Sequence, residues 1–120
     1  MPVTSPITAR RHPAGHLEAR ARRGSGRHGE ILAAFLQSDV QGDAESARAL
    51  LAEIGAAERG DTPQPGGVGN AFSITIGADG VTLRNAVVED AVPERYSLGE
   101  LRAALKGWMA AIERASRGGR

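Results

Sequence analysis

Cysteine is absent from the 120 residues, which excludes disulfides, thiolate metal sites and cysteine nucleophiles and fits a reducing compartment, the cytoplasm. Lysine is almost absent: fourteen of the fifteen basic residues are Arg, and Lys106 is the exception. Aromatics are limited to Phe35, Phe72, Tyr96 and Trp108, so a core must be built mainly from Ala, Leu, Ile and Val. No apolar run approaches the roughly 20 residues of a membrane span, which argues against a membrane partner. The length allows one domain with a small core.

The formal net charge of +1 conceals an uneven distribution. Residues 1–29 hold six Arg, one acid (Glu18) and all three His. Their apolar residues Met1, Val3, Ile7 and Leu17 are scattered, and Pro2, Pro6, Pro13, Gly24, Gly26 and Gly29 interrupt them. Such a segment buries too little apolar area to offset about 1–2 kcal/mol per residue of backbone ordering. Residues 1–29 therefore read as a disordered basic tail, with neither a secretory h-region nor the amphipathic helix of a transit peptide. The bias to Arg, Ala and Gly is that of a GC-rich bacterial genome, and the tail can stem from an upstream start codon. Residues 30–115, by contrast, hold thirteen Asp and Glu against seven Lys and Arg, a charge of −6.

Patterning begins at Glu30, giving a single α+β domain over 30–116 and a flexible C-terminus over 117–120. Residues 30–40 favour helix through their Ala and Leu, with Ile31, Ala34, Phe35 and Ser38 on one face; a buried strand over 31–36 is the alternative. Asp43 is the N-cap of a helix carrying Ala47, Leu50, Leu51, Ile54 and Ala57 at helical spacing, closed by Gly60. Residues 61–70 form a Pro- and Gly-rich loop. Phe72, Ile74 and Ile76 alternate with polar residues, as do Val81, Leu83, Asn85 and Val87, with Asp79-Gly80 supplying the hairpin turn. Ser97-Leu98-Gly99-Glu100 is a capping box opening a helix striped by Leu98, Leu101, Leu105, Trp108 and Ile112 and fading near Ser116. The class is α+β: a β-hairpin, with a third strand if 31–36 is extended, packed on two or three helices.

Few residues carry chemistry. His12 and His16 stand four apart, but Pro13 and Gly15 between them break the helix that would present both to a metal. Gly66-Gly67-Val68-Gly69 precedes a strand and contains no basic residue, unlike a phosphate loop. Residues beyond 29 contain no His, so no nucleophile–base–orienter set is visible, and no catalytic, cofactor or metal residue is assigned. Trp108 reads as core whose indole N–H needs an acceptor. Glu89, Asp90 and Glu94 form an acidic loop beside Tyr96, which reads as half exposed. These four are the expected partner-binding residues, with a Tyr96–Leu101 staple as the alternative for the ring.

Four short motifs carry a resemblance: Phe35-x-x-x-Asp39-Val40, Gly69-Asn70-x-Phe72, Val81-Thr82-Leu83-Arg84-Asn85 and Ser97-Leu98-x-Glu100-Leu101. Across residues 30–113 the chain resembles the YacL-like group of small bacterial proteins and is similar to the immunity proteins of toxin systems. The resemblance implies a non-catalytic α+β protein that acts by covering a partner. Combined with the acidic module, it leads us to expect a cytoplasmic interaction module that binds a basic protein, such as a toxin domain. Non-specific nucleic-acid association through the Arg-rich tail is the alternative, and a homodimer built on an open sheet edge is a third.

Overall fold

The computed structural model describes residues 4–61, 67–68 and 71–118. In chain order the elements are β1 (Ile7–Arg11), β2 (Leu17–Ala21), α1 (Gly26–Phe35), a π-helical turn (Leu36–Val40), α2 (Ala44–Glu58), β3 (Gly67–Val68), β4 (Phe72–Gly77), β5 (Gly80–Asn85), β6 (Glu94–Tyr96) and α3 (Leu98–Gly118). This is the expected α+β class. β1 and β2 form one antiparallel sheet, and an antiparallel meander of β4, β5 and β6, extended by two-residue β3, forms the other. Among the described residues no helix is long and apolar enough to cross a membrane.

The largest departure from the sequence expectation is the basic segment. Residues 7–21 are not a disordered tail but a hairpin, and residues 26–29 open α1. Ile7 and Ala9 on β1 alternate with Leu17, Ala19 and Ala21 on β2, and one hairpin face meets the core, Ile7 and Ala19 being buried. Alanines stand at three of these five positions, so the alternation is weak when only large apolar residues are counted. Pro13 and Gly15, which forbid a helix, instead make the hairpin loop. The Gly15 N–H donates to the His12 carbonyl at 2.7 Å with Gly15 at φ +103°, and the His12 N–H donates to the His16 carbonyl. Pro at the second position of such a turn and Gly at its fourth are the residues that geometry favours.

Residues 31–36 are helical, which decides the strand-or-helix alternative, but the buried face is not the predicted one. Leu32, Ala33, Phe35 and Leu36 are buried while Ala34 is exposed. The displaced face follows from β1 and β2, which pack on α1 and draw its inner side toward them. α2 forms as predicted: the Asp43 carboxylate accepts the Glu45 N–H at 3.0 Å, and Gly60 closes the helix at φ +78°. Within the predicted loop of residues 61–70, Gly67–Val68 pairs with Ile74 and Ser73 of β4; residues 62–66 and 69–70 lie outside the described residues.

The β4–β5 hairpin turns through Ala78 and Asp79, with positive φ at Gly80 (+134°) rather than at Asp79; β5 ends at Asn85, short of Val87. The capping box is present in both directions: the Glu100 N–H donates to Ser97 Oγ at 3.0 Å, and the Ser97 N–H donates to Glu100 Oε1 at 2.9 Å. α3 continues past Ser116 to Gly118, so the predicted flexible segment 117–120 begins inside the helix, and residues 119–120 lie outside the described residues. α3 presses on α2, β1 and β5. Leu32, Leu36, Ile54, Leu83, Leu101, Leu105 and Trp108 are fully buried between these layers. Each such apolar burial is worth about 1.5–3 kcal/mol.

One glycine sets how closely α1 approaches the first hairpin. A Cβ on Gly29 would stand 2.0 Å from Ser25 Oγ and 2.6 Å from the Pro6 carbonyl oxygen, whereas one on Gly107 of α3 would meet nothing within 4 Å. Gly29→Ala is expected to destabilise the fold by about 1–3 kcal/mol through overpacking. Gly107→Ala should raise stability by about 0.5–1 kcal/mol through helix propensity. Denaturant midpoints of the two variants check the contrast; equal stability would mean that the first hairpin does not pack on α1.

Candidate interaction surface

The segment between β5 and β6 is organised by Asn85, whose side-chain oxygen accepts the N–H groups of Val87 (2.9 Å) and Val88 (3.1 Å). This local turn, which Asn makes readily, turns the next residues outward. The Ala86 N–H donates to the Ala71 carbonyl at 2.7 Å and pins the base of the loop to the start of β4. Val87, Val88 and Val92 are 75%, 52% and 66% exposed, the large apolar residues that the fold leaves to solvent. Glu89 and Asp90 sit at the loop's crest, both exposed and without an ion pair among the described residues, Asp90 at φ +60°. Between the loop and α1 lies a shallow groove of about 330 Å³, floored by Ile31, Ala34 and Phe72 and edged by Val88, Val92 and Glu30.

The other two predicted partner-binding residues face inward. Glu94 ion-pairs with Arg27 and takes a hydrogen bond from His28 Nδ1 at 2.8 Å. Tyr96 is buried at 3% exposure, not half exposed as the sequence suggests, and its hydroxyl donates to the His28 carbonyl at 2.6 Å. The ring packs on the His28 imidazole with centroids 4.2 Å apart. A short strand next to α1 carries Tyr96 inward, and its partner lies 68 residues away in sequence. Burial and the nearby Glu94 and Glu100 carboxylates push its phenol far above the usual range.

His28 also meets Glu100 through Nε2 at 2.8 Å, so both ring nitrogens face carboxylate oxygens. Acceptors on both sides require two N–H donors, which makes the ring an imidazolium. Burial opposes this charge, but the hydrogen bonds to Glu94 and Glu100 outweigh it and raise the His28 pKa above 6.5. Burial likewise opposes ionisation of Glu100, while the Ser97 N–H and His28 outweigh it and hold that carboxyl below 4.5. Together the three side chains clamp α1 to β6 and α3. The sequence carries no trace of this cluster, because its members come from three separated elements.

Four of the six arginines in residues 1–29 are engaged within the fold. Arg10 and Arg20 flank Glu18, Arg22 Nε donates to the Ser5 carbonyl, and Arg27 reaches Glu94 and the Val92 carbonyl. The hairpin turn brings His12 and His16 face to face, with ring centroids 4.4 Å apart, although no helix joins them. Of the glycine-rich run, Gly67 and Val68 are strand; Gly66 and Gly69 lie outside the described residues.

No family model, curated protein or solved structure matches this chain. Among the described residues the valine loop is an exposed apolar feature, and the half-buried His28 cluster supports it from behind.

The clamp should register in the pH dependence of stability. A histidine whose folded pKa is raised contributes fully below the unfolded value and loses that contribution as pH climbs through the folded one. Glu100, held low, contributes above its ordinary pKa of 4.5 and loses that contribution in acid. Stability of the native chain should thus decline as pH rises above 6.5 through the folded His28 pKa. His28→Gln should flatten that decline and cost about 1.5–3 kcal/mol at pH 6, the range for hydrogen bonds to charged groups. Urea titrations across pH 5–9 test this, and a variant with the native alkaline limb would show that the limb belongs to another group.

Proposed function

We propose that the chain is a small non-catalytic interaction module, of the immunity-like kind, whose residues 86–93 and adjoining groove cover a basic protein partner. The observation that carries this reading is the gathering of Val87, Val88 and Val92 on one loop with Glu89 and Asp90 between them. Exposed apolar side chains grouped on a monomer surface mark contact sites. Carboxylates around them favour a cationic partner, chiefly through encounter rate and specificity. The charge of −6 over residues 30–115 points the same way. Glu94 and Tyr96 act behind this surface, fixing the strand from which the loop springs, so Glu89 and Asp90 are the contact residues.

A non-catalytic role is supported by the state of His28. With both nitrogens committed to carboxylates as donors, the ring has no lone pair with which to act as a base. The same proposal includes a relationship to the YacL-like proteins and a bacterial, cytoplasmic setting.

Tagged native chain, Val88→Asp/Val92→Asp and Glu89→Lys/Asp90→Lys, each used to capture proteins from the native host, test the proposal. The native chain should retain a basic protein in stoichiometric amount that neither double variant retains. Calorimetry on the purified pair should show affinity falling with salt and at least about tenfold weaker for each variant. Equal retention by all three chains rules out this surface. A sedimentation mass of two chains that the valine changes abolish would reassign the loop to self-association.

A further inference from the structure

Beyond the interaction surface, at the tip of the first hairpin, a second polar cluster stands without a role. We propose that His12, His16 and Glu18 form a binding site for a divalent cation of zinc type.

The geometry follows from strand alternation. His12 continues β1 and His16 precedes β2 across the Pro13–Gly15 loop, and Glu18 lies two residues past His16, so all three leave the hairpin on the same face. One ligand atom from each residue lies within 4.8 Å of the other two. Zinc bonds of about 2.0–2.2 Å put tetrahedral ligands roughly 3.3 Å apart, so the side-chain ends need to draw in by only ~1.5 Å. Two imidazoles and one carboxylate are a donor set that zinc takes while keeping a position open. His16 itself is exposed, so a position kept open beside it faces solvent.

Glu18 supplies an independent observation. Arg20 Nε donates to its Oε1 at 2.5 Å, while Oε2 has almost no exposed surface and no hydrogen-bond donor. Arg10 Nη2 is 3.7 Å from that oxygen and His12 Nε2 is 4.0 Å away. A carboxylate oxygen shielded from water without a donor is a costly arrangement, and a cation between it and the imidazoles removes the cost.

Two features oppose the metal and shape the test. The Arg10 and Arg20 guanidiniums repel a dication, so affinity depends mainly on the two histidines. His12 Nδ1 accepts the Ala14 N–H at 3.0 Å, which places the neutral ring's proton on Nε2. For Nε2 to ligate, the proton must move to Nδ1 and the exposed Ala14 contact must open. The Ala14 amide is therefore a built-in reporter.

Untagged full-length chain titrated with zinc chloride at pH 7 and followed by NMR tests the site. The Ala14 amide and the His12 and His16 ring signals should shift together to a one-to-one endpoint while His28 stays in place. His12→Gln and His16→Gln, at a half-buried and an exposed position of the hairpin turn, should each weaken binding at least about tenfold. Arg20→Gln, which frees Oε1 and removes a positive charge, should tighten binding severalfold. No saturable shift by about 1 mM zinc, an affinity too weak for a specific site, overturns the proposal. So does binding that survives the double change His12→Gln/His16→Gln with the fold intact by circular dichroism. Weaker binding by Arg20→Gln would remove Glu18 as a ligand and overturn the three-residue site.

Discussion

Trp108 donates its indole N–H to the carbonyl of Gln41 at 2.5 Å, and the parts of the chain are gathered around the turn that this bond holds. The turn, Leu36–Val40, widens the end of α1 by one π-helical step, and its polar side chains reach two ways. Gln37 Oε1 accepts the Ala19 N–H of β2 at 3.1 Å, and the Asp39 carboxylate accepts the N–H groups of Ala71 and Phe72 at the start of β4. Gln41, which ends the turn, sits at φ 55° and ψ −144°, a region that residues with a Cβ seldom occupy. Strain of this kind costs about 1–3 kcal/mol and persists only where surrounding contacts over-determine it. The indole bond, the Gln41 N–H to the Leu36 carbonyl and the Gln41 amide to the Ser38 carbonyl supply those contacts.

Local signals in the sequence translate directly into structure. Asp43 as N-cap, Gly60 as helix stop, the Ser97/Glu100 box and the β4–β5 alternation each depend on residues within a turn or a hairpin of one another. What stays hidden depends on distance. Tyr96 points inward because His28 offers a carbonyl and a ring face, and His28 is charged because Glu94 and Glu100 arrive from two later elements. The first hairpin falls between these cases. Its alternation and its Pro-x-Gly loop are local, but its core-facing positions include Ala9, Ala19 and Ala21, which contribute little in a count of large apolar residues. Its stability comes from the helices it touches. Of the expected contact residues, Glu89 and Asp90 lie on the exposed loop, whereas the valines beside them escape notice in a sequence because an exposed Val looks no different from a buried one.

The net charge of +1 also acquires a spatial meaning. The basic segment and the acidic remainder do not behave as separate bodies. Arg27 and His28 of α1 meet Glu94 and Glu100 at a single junction, while Glu18 is neutralised within its own hairpin by Arg10 and Arg20. Glu30, Glu89 and Asp90 near the valine loop take part in no ion pair among the described residues, and neither do Glu45, Glu53 and Glu113 on α2 and α3.

The packing of β1 against α3 joins the first strand of the chain to its last helix. During synthesis from the N-terminus, α1 can meet the first hairpin early, but the face that β1 turns to α3 is covered only when residues 98–112 emerge. The core therefore closes late. Contacts of such long sequence separation slow folding, since most of the chain must be ordered before they form.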